Sequence, residues 1–200
     1  KFSFSNEKRY FPNDTIQFMP SKGYTELFNK LLDHKNIQIF LSEEFNKSML
    51  KDFVFCFNSM PIDEYFKFEY GTLPYRSIKF NHIILKADNS KGHVTINYSD
   101  SSKFTRETWW HNIPNHHEMD RGLFVKTIEE PCDYQDNNFE RYYPVKTSDD
   151  KYGEIYKKYK MIKENKIDFI GRCGTYQYLD MHQVINQSLV NVNNWIKNNA

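Results

Sequence analysis

An α/β layer joined to an antiparallel sheet, a mixed α+β fold, is what this sequence predicts, and three observations predict it. A short, wholly apolar run, Phe53-Val-Phe-Cys-Phe57, reads as a strand buried on both faces of a parallel sheet. Between Tyr75 and Ile128, strand-like runs follow one another at close spacing, with turn residues and no helical segment between them, which argues for antiparallel pairing. The stretch from Ile167 onward reads as strand, glycine-bearing turn and capped helix.

Each element has a local reason. Phe2 and Phe4 alternate with polar residues as in a strand, and Tyr10-Phe11-Pro12 and Phe18-Met19-Pro20 continue as a loop. Ser21-Lys-Gly-Tyr-Thr25 opens a helix with Tyr24, Leu27, Phe28, Leu31 and Leu32 on one face, and Asn36–Leu41 reads as a further strand. The antiparallel set comprises Tyr75–Leu85, Val94–Tyr98, Phe104–Trp110 and Leu123–Ile128, with Asp133–Asn138 as a polar loop. A helix from Ser148 to about Lys163 carries Tyr152, Ile155, Tyr156, Tyr159 and Ile162 on one face. Ile167–Ile170 is the last strand. Asp180 then caps the final helix, with Gln183 completing a capping-box pattern, and Met181, Val184, Ile185, Leu189, Val192, Trp195 and Ile196 line its apolar face.

The expected organisation is residues 1–20 as strand and loop of the antiparallel sheet, 21–70 as part of the α/β layer, 71–147 as the antiparallel sheet, and 148–200 as the return to the α/β layer. Lys1 is no initiator Met, so the chain is expected to begin inside a larger protein.

Charge excludes two classes of partner. The 27 basic and 26 acidic residues leave a net charge of +1, which makes no electrostatic case for nucleic acid or an anionic membrane. With no long apolar run, signal peptide or polybasic tail, no membrane insertion and a soluble, cytoplasmic protein are expected. Cys56, Cys132 and Cys173 are scattered and form no Cys-x-x-Cys, as suits free thiols in a reducing compartment.

Candidate chemistry centres on anions. Arg76, Arg106 and Arg172 stand beside aromatic residues at strand ends, where a guanidinium can fork onto a phosphate; a surface ion pair is the plain alternative for each. Tyr142-Tyr143-Pro144 is rigid and aromatic, suited to stacking, to a phosphate hydrogen bond, or to a packed turn. The helix that starts after Asp180 offers unpaired N–H groups and a positive dipole end, with Arg172, Tyr176 and Tyr178 just before it. His111, His116, His117, Glu118 and Asp120 match no standard zinc spacing and read as a solvated loop, so no metal is expected. No Gly-x-Gly-x-x-Gly, Walker loop, Gly-x-Ser-x-Gly or His-Glu-x-x-His occurs; Gly171-Arg-Cys-Gly174 has the wrong spacing for the first.

Arg172-Cys-Gly-Thr-Tyr-Gln-Tyr-Leu-Asp-Met-His-Gln-Val184 resembles the C-terminal flavin-contacting motif of the UDP-galactopyranose mutases. The resemblance runs through nearly the whole chain: Lys1–Asn6, Arg9-Tyr10-Phe11, Gly23-Tyr24-Thr25, Pro61–Phe66, Gly71–Ser77, Asn97–Asp100, Thr105-Arg106 and Tyr142–Val145 are each similar to family segments in the same order.

The resemblance implies the C-terminal part of an FAD/NAD(P)-binding flavoprotein fold together with the family's sheet domain. It implies a flavin-dependent isomerase that interconverts UDP-galactopyranose and UDP-galactofuranose for cell-surface polysaccharide. In the family reaction, N5 of reduced FAD displaces UDP from the anomeric carbon, the ring opens, recloses five-membered, and UDP returns.

Carried over by position, Arg106, Tyr143 and Tyr178 would hold the diphosphate. Tyr10, Phe11 and Asn97 would position the nucleotide sugar, and Asp180 would stand by sugar and flavin. Arg172 with Met181, His182, Gln183, Val184, Ile185 and Asn186 would contact FAD, with Arg76 near the flavin. A homodimer of the full-length protein is also expected.

The chain departs from the family pattern at two places. Met60 stands where the family has a small Gly before Pro61, and Glu107-Thr-Trp-Trp-His-Asn112 replaces an Ile-Ile-Glu-His-Lys-His type run that the resemblance places near the sugar. A related nucleotide sugar is therefore an alternative substrate. A flavin oxidoreductase and a truncated, non-catalytic nucleotide-sugar binder are the rival classes.

Overall fold

The computed structural model describes residues 13–16, 18–113 and 122–199. In chain order its elements are α1 (Gly23–Leu32), β1 (Cys56–Asn58), α2 (Ile62–Tyr65), β2 (Tyr75–Leu85), β3 (Thr95–Asn97), β4 (Arg106–Trp109), β5 (Phe124–Asp133), β6 (Tyr143–Pro144), α3 (Lys151–Met161), β7 (Ile167–Phe169), α4 (Gly171–Thr175) and α5 (Met181–Asn199). Helices and strands are mixed, and the strands form two sheets.

The larger sheet is antiparallel, with order β3-β4-β5-β2-β6. Its spine is the β2–β5 pair, in unbroken register from Arg76↔Asp133 to Leu85↔Phe124. Because side chains alternate across a strand and directly paired residues share a face, the register sorts the sheet into two faces. One face carries Asn97, Arg106, Glu129 and Phe80 on one row and Thr95, Thr108, Thr127 and His82 on the next. The other carries Glu107 and Trp109, both buried.

On that second face Glu107 accepts from Trp109 Nε1 (2.8 Å), Tyr98 Oη (2.9 Å) and Lys126 Nζ (3.0 Å). Burial pushes its carboxyl up, but these three donors outweigh it and leave the pKa below its ordinary value.

The smaller sheet is a parallel pair, β1 with β7, of three residues each. Helix α4 is pressed onto it by glycine. A Cβ on Gly174 would lie 3.0 Å from the Asn58 carbonyl oxygen, and Gly171 has φ +73°, a backbone state that only glycine adopts freely. The Gly171-x-x-Gly174 spacing that fails as a dinucleotide loop is therefore a close-packing device between helix and strand.

Ile62, Leu73, Tyr75, Tyr134, Tyr159 and Tyr176 form the core that joins the two sheets. In this tyrosine-rich core two hydroxyls find carbonyl partners, while the buried Tyr75 hydroxyl has none among the described residues. Tyr159 donates to the Gly71 carbonyl (2.7 Å), and the Tyr176 O–H is shared between the Pro74 and Val145 carbonyls (2.9 and 2.8 Å). Asp63, 1% exposed, accepts from Leu73 N–H (2.8 Å); burial nonetheless pushes its pKa up.

Several expectations are corrected. No strand forms over Asn36–Leu41: Ile37, Ile39, Phe40 and Leu41 are 42–83% exposed, and an apolar alternation makes a strand only where an edge is there to pair with it. The strand predicted at Phe53–Phe57 forms instead at Cys56–Asn58, where β7 supplies its partner. Strand β5 runs past Ile128 to Asp133 because β2 pairs with it throughout. The polar loop after it winds into a 3-10 turn, Tyr134–Asn137, with the Asp133 side chain accepting from Gln135 N–H (3.0 Å). The apolar face predicted for α1 buries none of its residues, and the same holds for α5, where Met181, Ile185, Leu189 and Ile196 are 46–58% exposed. The strand expected at Phe2–Asn6 lies outside the described residues.

Candidate functional site

The first row of the sheet builds one half of the site. Arg106 opens β4, and its Nε donates to Asn97 Oδ1 across the β3–β4 pair (3.0 Å). Its Nη1 lies 3.7 Å from Glu129 Oε1 on β5. The guanidinium is thus oriented by two neighbours while its side chain stays 47% exposed.

The second half comes from the segment between α4 and α5. The C-cap of α4, Tyr176, sits in the left-handed region at φ 48°, unusual for a bulky residue, and its buried, hydrogen-bonded ring holds it there. That turn brings Tyr178 back over the sheet edge, where its ring stacks on Tyr143 with centroids 5.2 Å apart. The Arg172 guanidinium lies over the Tyr178 ring, 4.4 Å from its centroid. It donates from Nη1 to the Tyr142 carbonyl (3.1 Å) and from Nε to the Leu179 carbonyl (2.5 Å). Among the described residues no carboxylate pairs with Arg172, and the two carbonyls hold its guanidinium in place.

The two halves meet at Tyr143. Burial pushes its hydroxyl pKa up, and Tyr178 and Glu129 add to this, while Arg106 and Arg172 both pull against them. The net shift is upward, so Tyr143 remains an O–H donor across the neutral range. Both guanidinium groups thus act on the charge of Tyr143, and Arg172 lies over the ring stacked on it, an arrangement suited to an anion with several oxygens.

Of the residues singled out from sequence, Asn97, Arg106, Tyr143, Tyr178 and Arg172 come together here. Arg76 is exposed on β2, opposite Tyr143 in the register, and so shares its face. Asp180 stands at the start of α5. Its N–H donates to Gln183 Oε1 (2.8 Å), and its carbonyl accepts from the Gln183 and Val184 N–H groups (2.9 and 3.0 Å). Met181, His182, Gln183, Val184, Ile185 and Asn186 make the first turns of that helix, with Met181 and Ile185 46% and 47% exposed. Tyr10 and Phe11 lie outside the described residues, as do His116, His117, Glu118 and Asp120. Among the described residues no group of three His, Cys, Asp or Glu side chains could hold a metal ion.

The sequence reading missed Glu129 and the Tyr142 carbonyl. Glu129 had a signal, since it continues the alternation of β5, but only the register places it opposite Arg106. A backbone carbonyl has none. A cleft of about 680 Å³ between α3, β7 and α5 is a separate feature, lined by neither Arg106, Tyr143 nor Tyr178.

A family model described as UDP-galactopyranose mutase matches residues 1–178. The chain belongs to the UDP-galactopyranose mutase family. Within it, the chain is 32% identical to a dTDP-fucopyranose mutase of Escherichia coli, an alignment that covers 98% of this chain and 53% of that protein. It is also 32% identical to a probable UDP-galactopyranose mutase of Klebsiella pneumoniae (93% and 47% covered) and 26% identical to a UDP-galactopyranose mutase of Mycoplasma pneumoniae (94% and 50%). The chain spans about half the length of the curated relatives it matches. No helix among the described residues is long and apolar enough to cross a membrane.

Proposed function

We propose that the intact protein is a flavin-dependent mutase that interconverts the six- and five-membered ring forms of a nucleotide-linked hexose, for cell-surface polysaccharide made in the cytoplasm. The sugar nucleotide is UDP-galactose or a near relative, a range suggested by the mutases of both nucleotide types among the similar proteins. The observation that carries this reading is the convergence of Arg106 and Arg172 on the stacked pair Tyr143–Tyr178. A ring contraction at an anomeric carbon needs the nucleoside diphosphate to leave and return, so its developing charge must be held in place.

Each residue has a task within this reading. Arg106, oriented by Asn97 and Glu129, forks onto diphosphate oxygens, where the anion displaces the weaker ion pair with Glu129. Tyr143 and Tyr178 donate hydroxyl hydrogen bonds to the same anion. Asp180 stands between the diphosphate cluster and the start of α5, beside the reacting sugar. FAD, when bound in reduced form, supplies the nucleophile for the anomeric carbon.

The residues present fit such a cofactor. Arg172 has no carboxylate partner among the described residues, and the first turns of α5 from Met181 to Asn186 bring the positive end of the helix and the exposed side chains of Met181 and Ile185. Arg76, on the same face as Tyr143, lies toward that end. In this reading residues 21–70 and 148–200 belong to the cofactor-binding layer, residues 71–147 to the substrate sheet, and the intact protein is a homodimer. A flavin oxidoreductase would not require a pair of arginines around stacked phenols, which favours the mutase.

The test is to reduce the intact protein with dithionite and follow UDP-galactopyranose by chromatography. Furanose formed only under reduction, and lost in Arg106→Ala, supports the reading. Bound flavin with no turnover on UDP-galactose or the dTDP-linked 6-deoxy sugar would move it to the oxidoreductase class. A protein with no flavin at all would leave a nucleotide-sugar binder.

A further inference from the structure

Two residues before Tyr143, Arg141 turns into the core, with its side chain 12% exposed. Its guanidinium lies over two core rings, with Cζ 5.2 Å from the Tyr134 centroid and 5.7 Å from that of Tyr75. Nη2 pairs with the Glu64 carboxylate on α2, and Nη1 donates back to the Phe139 carbonyl (3.0 Å). Nε is buried and has no acceptor among the described residues. Burial raises the pKa of Asp63, and the Arg141 charge beside it works the other way. Taking a guanidinium out of water is costly, and an apolar side chain would fill this space without that cost. The buried charge therefore calls for a reason beyond packing.

The segment that follows supplies one. Strand β6 is two residues long and lies at the edge of the sheet, and its Pro144 has no N–H to give to the ladder. Its flanks are tied by Tyr142 N–H to the Arg76 carbonyl (3.1 Å) and Val145 N–H to the Pro74 carbonyl (3.0 Å). Just before it the chain bends through Asn138 and Phe139, both in the left-handed region at φ 50° and 60°, a state that side chains disfavour. Arg141 braces this bend, with one arm on the Phe139 carbonyl and the other on a helix 77 residues earlier in the chain. A planar fork sets direction as well as distance, which an apolar side chain does not. Two groups of the candidate site hang on the same short segment. The Tyr142 carbonyl accepts from Arg172 Nη1, and Tyr143 carries its hydroxyl and the ring stacked on Tyr178.

We infer that Arg141 is a positioning residue for the nucleotide-sugar reaction: braced on Glu64 and the Phe139 carbonyl, it fixes the Tyr142 carbonyl and the Tyr143 hydroxyl, and through them the Arg172 guanidinium, at the diphosphate. This rests on the placement of the diphosphate proposed above. Arg141 itself is buried while Tyr143 is 38% exposed, so its effect reaches the anion only through the two residues that follow it. Without the fork the edge strand is free to shift, and the Tyr143 hydroxyl and the Arg172 guanidinium lose their common reference.

Calorimetry with UDP on the intact protein tests it. Arg141→Met combined with Glu64→Gln removes both charges of the pair together, and near-UV circular dichroism checks that the fold is kept. This double substitution is expected to weaken UDP binding about tenfold, the scale of one hydrogen bond to a charged group. Tyr143→Phe is expected to weaken UDP several-fold in the unsubstituted protein. On top of the Arg141 change it should cost no more than about twofold, because both act through the same hydroxyl. Arg141→Lys, which keeps the charge and loses the fork, is expected to weaken UDP about threefold with the same lack of additivity. It carries the test should the double substitution not fold. Losses that multiply, or a folded Arg141 or Tyr143 variant that binds UDP unchanged, overturn the inference. Arg106→Ala separates the two readings: a large UDP loss there keeps the diphosphate site whatever Arg141 does, and unchanged UDP binding removes both.

Discussion

The two sheets are built to different standards, and the candidate site draws one arginine from the larger sheet and one from the helix packed on the smaller. The antiparallel sheet has a ten-pair spine, a buried Trp109 and a carboxylate with three donors. The parallel pair has three residues per strand, and the last helix of the chain's C-terminal part, α5, buries no residue. Arg106 sits on the first, and Arg172 on α4, the short helix packed against the second. A side chain on a long, cross-paired strand is held by many bonds. One on a five-residue helix is held by a few close contacts, here Gly174 against Asn58 and the two carbonyls that Arg172 itself grips. Precision at the proposed anion site is thus reached by extended pairing on one side and by close packing on the other.

The sharpest way to break this comparison is at the centre of the larger sheet. Trp109→Ala leaves a cavity at a position 2% exposed and strands Glu107 without one donor, so a loss of about 3–5 kcal/mol is expected in denaturant unfolding. A loss below 1 kcal/mol would mean that the sheet does not depend on that packed face.

Next in size is Gly174→Ala. The added methyl meets a backbone oxygen at 3.0 Å, so α4 must shift from β1, at about 1–3 kcal/mol. Nucleotide affinity should fall with it while the Trp109 environment, read by near-UV circular dichroism, stays constant. A change that spreads to Trp109 would show the two sheets to be one cooperative unit.

The smallest effect concerns acid. Glu107 has a folded pKa below its unfolded value of about 4.3, so its contribution is fully present above that value. It is lost as pH falls through the lower folded value. Glu107→Gln should flatten the decline of stability with acid in that window, and an unchanged slope would assign the decline to other carboxylates.

The local chemistry of the site was open to reading in the sequence. Arg106, Tyr143, Arg172 and Tyr178 are residue types that recognise anions, each beside aromatics or a glycine turn, and the strand alternation from Tyr75 to Leu85 marked the spine of the sheet. The same alternation misled at Asn36–Leu41. There the pattern is present but no strand edge pairs with it, since periodicity describes a chain's own faces and not its neighbours.

What the sequence alone determined is therefore the inventory: which residues can hold charge, which runs alternate, and where glycine permits a turn. Tertiary structure decided the partners. Register put Glu129 opposite Arg106, the left-handed turn at Tyr176 laid Tyr178 on Tyr143, and the split of Trp109 from Trp110 sent one indole into the core and one to the open face. Those outcomes depend on contacts between residues far apart in the chain, and no local spacing encodes them.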